Sequence, residues 1–214
     1  VKKIKKEILV IEDCAQAMGA SIDGRSVGTF GHLGIFSFYS TKLITSGGHG
    51  GAVVSSDTDI LHKIRDYREF DSKKDSKTRF NFKISDLQSG IGRVQLKKIN
   101  SFIKRREKIF QKYNSQGWDL LKSSDPSIMP VRYRAVLRSN FSNSMIDFLN
   151  TNGIKSINPL NGWEVLSSDC KKYPNAHSLS NLTVSLPLYP SLTNSQVSFI
   201  IKKVNKFLKK EKVK

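Results

Sequence analysis

Phe36-Ser37-Phe38-Tyr39-Ser40-Thr41-Lys42 is an apolar, strand-like run that ends in hydroxyl side chains. It delivers one lysine into the loop Ser46-Gly47-Gly48-His49-Gly50-Gly51. Hydroxyls can bind a phosphate, glycines let backbone approach a ligand closely, and a desolvated lysine amine is nucleophilic. Upstream, the apolar strand Ile8-Leu9-Val10-Ile11 leads to Asp13, with Gln16 one helical turn further on. Singly, each of these residues has an ordinary reading: Lys42 as a solvated loop charge, Asp13 as a helix N-cap, Ser37 as a buried hydroxyl bonded to backbone. Together they match the needs of pyridoxal phosphate, which takes a Schiff-base amine, a carboxylate at its ring nitrogen and hydroxyls at its phosphate.

Working outward, residues 8–12, 34–39 and 52–55 read as strands joined by short connections, and 58–70 as a helix. Apolar strands of this kind, with turns and helices between them, indicate an α/β sheet covered on both faces and mostly parallel. The polar segment 73–78 reads as a mobile loop. Ser85 and Gln88 form a capping-box pattern, and Leu87, Ile91, Val94, Ile99, Ile103, Phe110 and Tyr113 continue an apolar stripe at helical spacing. One long helix closing near Gly117 is expected. Beyond it, 131–137 alternates like a strand with one wet face, 142–152 reads as a helix, and Thr193 with Gln196 caps a last amphipathic helix. The expected division is a partial large domain over 1–84, a connecting helix over 85–117 and a small α+β domain over 118–214.

Composition narrows the classes. The 214 residues are 38% hydrophobic and 25% charged, ordinary for a globular protein. No apolar run reaches the about 18 residues of a membrane span, and the start Val1-Lys2-Lys3-Ile4-Lys5-Lys6 is too polar for a signal peptide, so a cytoplasmic protein with no membrane partner is expected. Cys14, Cys170 and the histidines at 32, 49, 62 and 177 show no disulfide framework or metal-ligand spacing. The net charge of +18 favours anionic partners. Its lysines are spread over helix surfaces and both termini without an aromatic-interleaved tract or a nucleic-acid-binding motif, which argues against nucleic acid. A nucleotide-linked sugar is itself an anion that such a surface could help to capture.

Several blocks carry a family resemblance: Val10 to Ala17, Gly28-Thr29-Phe30-Gly31, Phe36 to Lys42, Gly47 to Val53, Phe80 to Gln88, Ile91 to Leu96, Leu179 to Pro190 and Thr193 to Leu208. Together they resemble the pyridoxal-phosphate sugar aminotransferases of the DegT/StrS type from about Ile8 to Leu208. The resemblance implies a partial fold type I large domain followed by the small C-terminal domain. It implies Lys42 as the Schiff-base residue, Asp13 at the pyridine nitrogen, Gln16 at the phenolic oxygen, Ser37 at the phosphate, and Asn81 at the phosphate of a neighbouring subunit's cofactor. The implied reaction moves an amino group from an amino acid, glutamate for choice, to a keto group on a nucleotide-linked sugar, as in surface-polysaccharide synthesis. Related enzymes that eliminate a hydroxyl carry histidine where Lys42 stands, which favours amino transfer.

The family pattern also has a substantial segment before the aspartate strand, bearing a phosphate-binding turn and a ring-stacking aromatic residue. A homodimer or a complementary N-terminal chain is therefore expected as partner, and a silent or split fragment of such an enzyme is one alternative. A basic binding module for anionic partners is another. The chain departs from the family pattern at His49, usually acidic there, at Leu43, usually asparagine, and in Ile157 to Trp163, where a histidine near the sugar is common. His49 reads as a substrate contact or as a solvent-exposed or backbone-bonded loop histidine, and Trp118 and Trp163 read as packing residues.

Overall fold

Strand pairing around Phe36 organises the first half of the chain. In the computed structural model, which describes residues 8–167 and 169–211, β1 (Ile11–Asp13) runs parallel to β4 (Leu33–Ser37), and β4 pairs antiparallel with β5 (Gly51–Val54). The expected α/β class holds, with one parallel and one antiparallel pairing where a mostly parallel sheet was expected. The β1 strand starts later than its apolar run suggests, and Ile8, Leu9 and Ile11 are about half exposed. Among the described residues β1 has β4 as its one strand partner. A second small sheet joins β2 (Ser21–Ile22), β3 (Arg25–Ser26) and β6 (Ile128–Met129) in the order β3-β2-β6. Its hairpin turns at Asp23 and Gly24, both at positive φ (50° and 74°), the geometry a two-residue Asp-Gly turn provides.

The first helix, α1 (Thr58–Tyr67), is capped by Asp57, whose carboxylate accepts from the N–H groups of Asp59 and Ile60. Ion pairs fasten the polar segment after it, which was expected to be mobile. Arg79 bridges Asp66 and Asp75, Lys73 pairs with Asp66 at 2.8 Å, and Lys83 pairs with Asp71 at 2.6 Å. The long helix α2 (Asp86–Asn114) opens with the expected capping box: Gln88 Oε1 accepts from Ser85 N–H and Ser85 Oγ from Gln88 N–H.

Contacts divide the chain into Val1–Phe102 with Asp125–Tyr133, and Ile103–Ser124 with Arg134–Lys214. These boundaries differ from the expected 1–84, 85–117 and 118–214, because the division falls inside α2 and residues 125–133 return to pair with β2. The apolar stripe of α2 behaves differently on the two sides of the division. Leu87, Ile91 and Val94 are exposed, whereas Ile109, Phe110 and Tyr113 are buried.

The second unit builds its core on those buried residues. Around them lie the antiparallel pair β7 (Ala135–Arg138) and β8 (Thr183–Leu186), the helix α3 (Ser142–Thr151), the short α4 (Pro174–Asn181) and α5 (Asn194–Glu211). Expected over 131–137, β7 begins only at Ala135, because Arg132 takes φ of 46° and breaks the extended run. Tyr113 O–H donates to Pro187 O at 2.9 Å, and Trp118 stacks on Tyr113 while its Nε1–H donates to Asn205 Oδ1 at 2.9 Å. Trp118 is thus the packing residue expected. Trp163, where a packing residue was also expected, stands 81% exposed on a 3₁₀ turn, Gly162–Glu164. Among the described residues no helix is long and apolar enough to cross a membrane.

Leu149 and Val197 are fully buried in this second core. Leu149→Ala should therefore lower its stability by about 2–5 kcal/mol, measured as a shifted urea midpoint, while Leu87→Ala on the exposed stretch of α2 should change it by less than about 0.5.

Candidate active site

Asp13 stands opposite Ile35 in the β1–β4 pairing. Paired residues point to the same side of a sheet, and residues two apart on a strand share a face. Asp13, Ile35 and Ser37 therefore project from one face at the C-terminal ends of two parallel strands, the end where open α/β sheets bind ligands. Asp13 does not cap a helix. Its Oδ1 accepts from Ala15 N–H at 3.0 Å in a local turn, and the carboxylate is otherwise exposed. Ser37 Oγ accepts from Tyr39 N–H at 3.3 Å, which leaves its O–H free to donate.

Lys42 follows in a tight turn closed by its own N–H donating to Tyr39 O at 3.0 Å. It is half-buried beside the buried Leu43 and Ile44, and among the described residues no ion pair or hydrogen bond holds its side chain. Gln16 is exposed in the turn after β1. Asn81 is exposed on a segment whose neighbours are bonded to the end of α1: Phe80 N–H donates to Tyr67 O at 3.0 Å and Phe82 N–H to Arg68 O at 3.3 Å. Asp13 and Ser37 thus share the end of one strand pair, and Lys42 follows in the turn beyond it. Gln16 and Asn81 make no hydrogen bond to those three among the described residues.

Two residues outside the expected set shape this end of the sheet. Ser46 is fully buried and closes the glycine loop, its N–H donating to Phe38 O at 3.0 Å and its Oγ–H to His49 O at 2.5 Å. The loop needs glycine at position 50, where φ is 147° and a Cβ would lie 2.3 Å from Ser46 Oγ. His49 itself is exposed, its ring 5.7 Å from that of Tyr39.

The second residue is Glu12. Adjacent residues on a strand point to opposite faces, so Glu12 faces away from Asp13. Its carboxylate accepts from the N–H groups of Gly28, Phe30 and Gly31 at 2.8, 2.5 and 2.6 Å. Burial pushes this carboxyl up, but those three donors, with the charge of Arg25, outweigh it and hold Glu12 below its ordinary value of 4.5. Next to it, burial first and the Glu12 and Asp13 carboxylates second push the Cys14 thiol up, which keeps it protonated and inert. Nothing in the spacing of Glu12 signalled its role, because its partners are backbone groups of a turn sixteen or more residues away. Ser46 was legible only as part of a glycine loop.

The donor set fits pyridoxal phosphate: an amine for its carbonyl carbon, a carboxylate for its ring nitrogen, and a hydroxyl with a glycine-rich backbone for its phosphate. A model of the DegT/DnrJ/EryC1/StrS aminotransferase family matches residues 2–205. The chain is 28% identical to a GDP-perosamine synthase of Escherichia coli O157:H7, covering 94% of this chain and 59% of that protein. It is also 28% identical to a dTDP-4-dehydro-2,3,6-trideoxy-D-glucose 4-aminotransferase of Saccharopolyspora spinosa, over 90% of this chain and 57% of that one. Its fold resembles the crystal structure of S. venezuelae DesV in complex with a ketimine intermediate, with a TM-score of 0.81 at 27% identity over 94% of this chain and 58% of that one. The chain spans somewhat under three fifths of the length of these relatives.

Because Glu12 is lowered on folding, its bonds stabilise the fold above its ordinary value of 4.5 and that contribution is lost as pH falls through the lowered one. Glu12→Gln should cost about 1.5–3 kcal/mol at neutral pH, the scale of hydrogen bonds to a charged group. The gap between variant and wild type in urea unfolding should close as the pH is lowered into the acid range.

Proposed function

This chain belongs to the DegT/DnrJ/EryC1/StrS aminotransferase family, and from that premise we propose that it carries out pyridoxal-phosphate-dependent amino transfer. The donor is an amino acid, glutamate in this reading, and the acceptor the keto group of a nucleotide-linked sugar. The observation that carries the reading is that Asp13 and Ser37 project from one face at the C-terminal ends of β1 and β4, with Lys42 in the turn that follows β4. The printed names of the relatives, a GDP-linked and a dTDP-linked case, support the substrate class. The surplus of 36 basic over 18 acidic residues would favour capture of such an anionic substrate.

Bound pyridoxal phosphate supplies an electron sink for charge that develops at the carbon gaining or losing the amino group. The protein's part is positioning and proton handling. Asp13, with one oxygen engaged by Ala15 N–H, presents the other to hold a proton at the ring nitrogen. Lys42 Nζ anchors the cofactor and moves the proton at the reacting carbon. The Ser37 O–H donates to the phosphate, the Gln16 amide reaches the ring's phenolic oxygen, and the glycines of the 47–51 loop let backbone come close. We assign Asn81 to the phosphate of the cofactor held by a second copy of the chain, which makes the working form a homodimer. The exposure of Asn81 and of the Phe80–Phe82 ring stack beside it supports that assignment.

Borohydride reduction in the presence of pyridoxal phosphate, followed by peptide mapping, should place the pyridoxyl group on Lys42, and Lys42→Ala should lose it. Label spread over surface lysines and unchanged in the variant would defeat the assignment. Asp13→Asn should keep the fold but slow proton transfer from glutamate in single-turnover absorbance measurements by a factor of about ten or more, the equivalent of an ionic hydrogen bond of about 1.5–3 kcal/mol. Unchanged rates would remove Asp13 from the ring nitrogen.

A further inference from the structure

Glu12 and Gly34 are paired across β1 and β4, so both face the side of the sheet opposite Asp13. The turn 28–31 lies against that side. A Cβ on Gly34 would come within 2.5 Å of Gly28 Cα, and a Cβ on Gly28 within 2.7 Å of the Phe36 ring. The turn is held there by the Glu12 carboxylate, which accepts its three N–H groups. Arg25 closes the turn on the outside, its Nε–H donating to Thr29 Oγ1 at 3.1 Å and its guanidinium lying 4.7 Å from the Phe30 ring centroid. One side chain, one residue before Asp13, therefore ties β1 to the turn that packs on β4.

We propose that Glu12 is a positioning residue for Asp13: by clamping the turn 28–31 on the back of the β1–β4 pair, it fixes the pleat of β1 and so the direction in which the Asp13 carboxylate leaves the strand. This rests on the assignment of Asp13 to the cofactor's ring nitrogen. A misdirected Asp13 weakens the hold on the cofactor even where the fold survives.

The test compares Glu12→Gln with Asp57→Ala, which removes the cap of α1 and lowers stability without touching the β1–β4 pair. At neutral pH and a temperature where wild type and both variants are fully folded, Glu12→Gln should raise the dissociation constant for pyridoxal phosphate about tenfold, the scale seen when an outer-shell partner of a ligand group is lost. Asp57→Ala should leave it within about twofold, because the Asp57 carboxylate serves the first N–H groups of α1. In the cofactor-free protein, Glu12→Gln should move the amide resonances of Asp13 and Ala15 together with those of Gly28, Phe30 and Gly31. An unchanged dissociation constant, an equal loss in Asp57→Ala, or resonance changes confined to the turn would overturn the positioning role while leaving the aminotransferase reading intact. A wild-type protein with no affinity for pyridoxal phosphate would overturn both.

Discussion

The pairing of β1 with β4 gives one sheet two unlike faces, and most of what the first unit does depends on that. On one face the pair carries Glu12, Gly34 and Phe36; on the other, Asp13, Ile35 and Ser37. The first face is closed because Gly34 leaves room for the turn at Gly28 and Glu12 satisfies that turn's N–H groups. Closing it with hydrogen bonds to a charged group leaves the opposite face as the place where polar side chains can stand without being used up by the fold. The lysine proposed to hold the cofactor then arrives by chain continuity, since Lys42 lies one turn beyond the end of β4.

The lysine loop is held by a different device. Leu43 and Ile44 are buried immediately after Lys42, and buried Ser46 hooks the far end of the loop back on His49 O. Lys42 is therefore half-buried through its neighbours rather than through bonds of its own among the described residues. The first unit in this way separates the groups that hold structure, Glu12 and Ser46, from the groups left for chemistry.

What could be read from sequence was mainly local. The two capping boxes, Ser85 with Gln88 and Thr193 with Gln196, formed as expected because each involves groups three residues apart. The class of the fold and the strand leading to Lys42 were legible for the same reason, in apolar runs punctuated by glycine. The Asp23-Gly24 hairpin carried a recognisable turn signal that went unread among longer elements. Other features depend on long-range pairing that no local pattern announces: the late start of β1, the return of 125–133 to β2, and the three N–H groups gathered by Glu12. Arg132 shows a further limit, since alternation promised a strand through a residue whose backbone turns left-handed. Trp163 shows another, because a large aromatic side chain predicts burial only where neighbours exist to bury it.

We place the ligand-binding face, as a proposal, at the C-terminal end of the β1–β4 pair. Hydrogen–deuterium exchange of the protein with and without pyridoxal phosphate tests this most directly, since it reports where backbone becomes protected without assuming any chemistry. Protection should be concentrated in residues 13–16 and 37–51. Protection confined to the lysine-rich surface of α5, with those two segments unchanged, would contradict it.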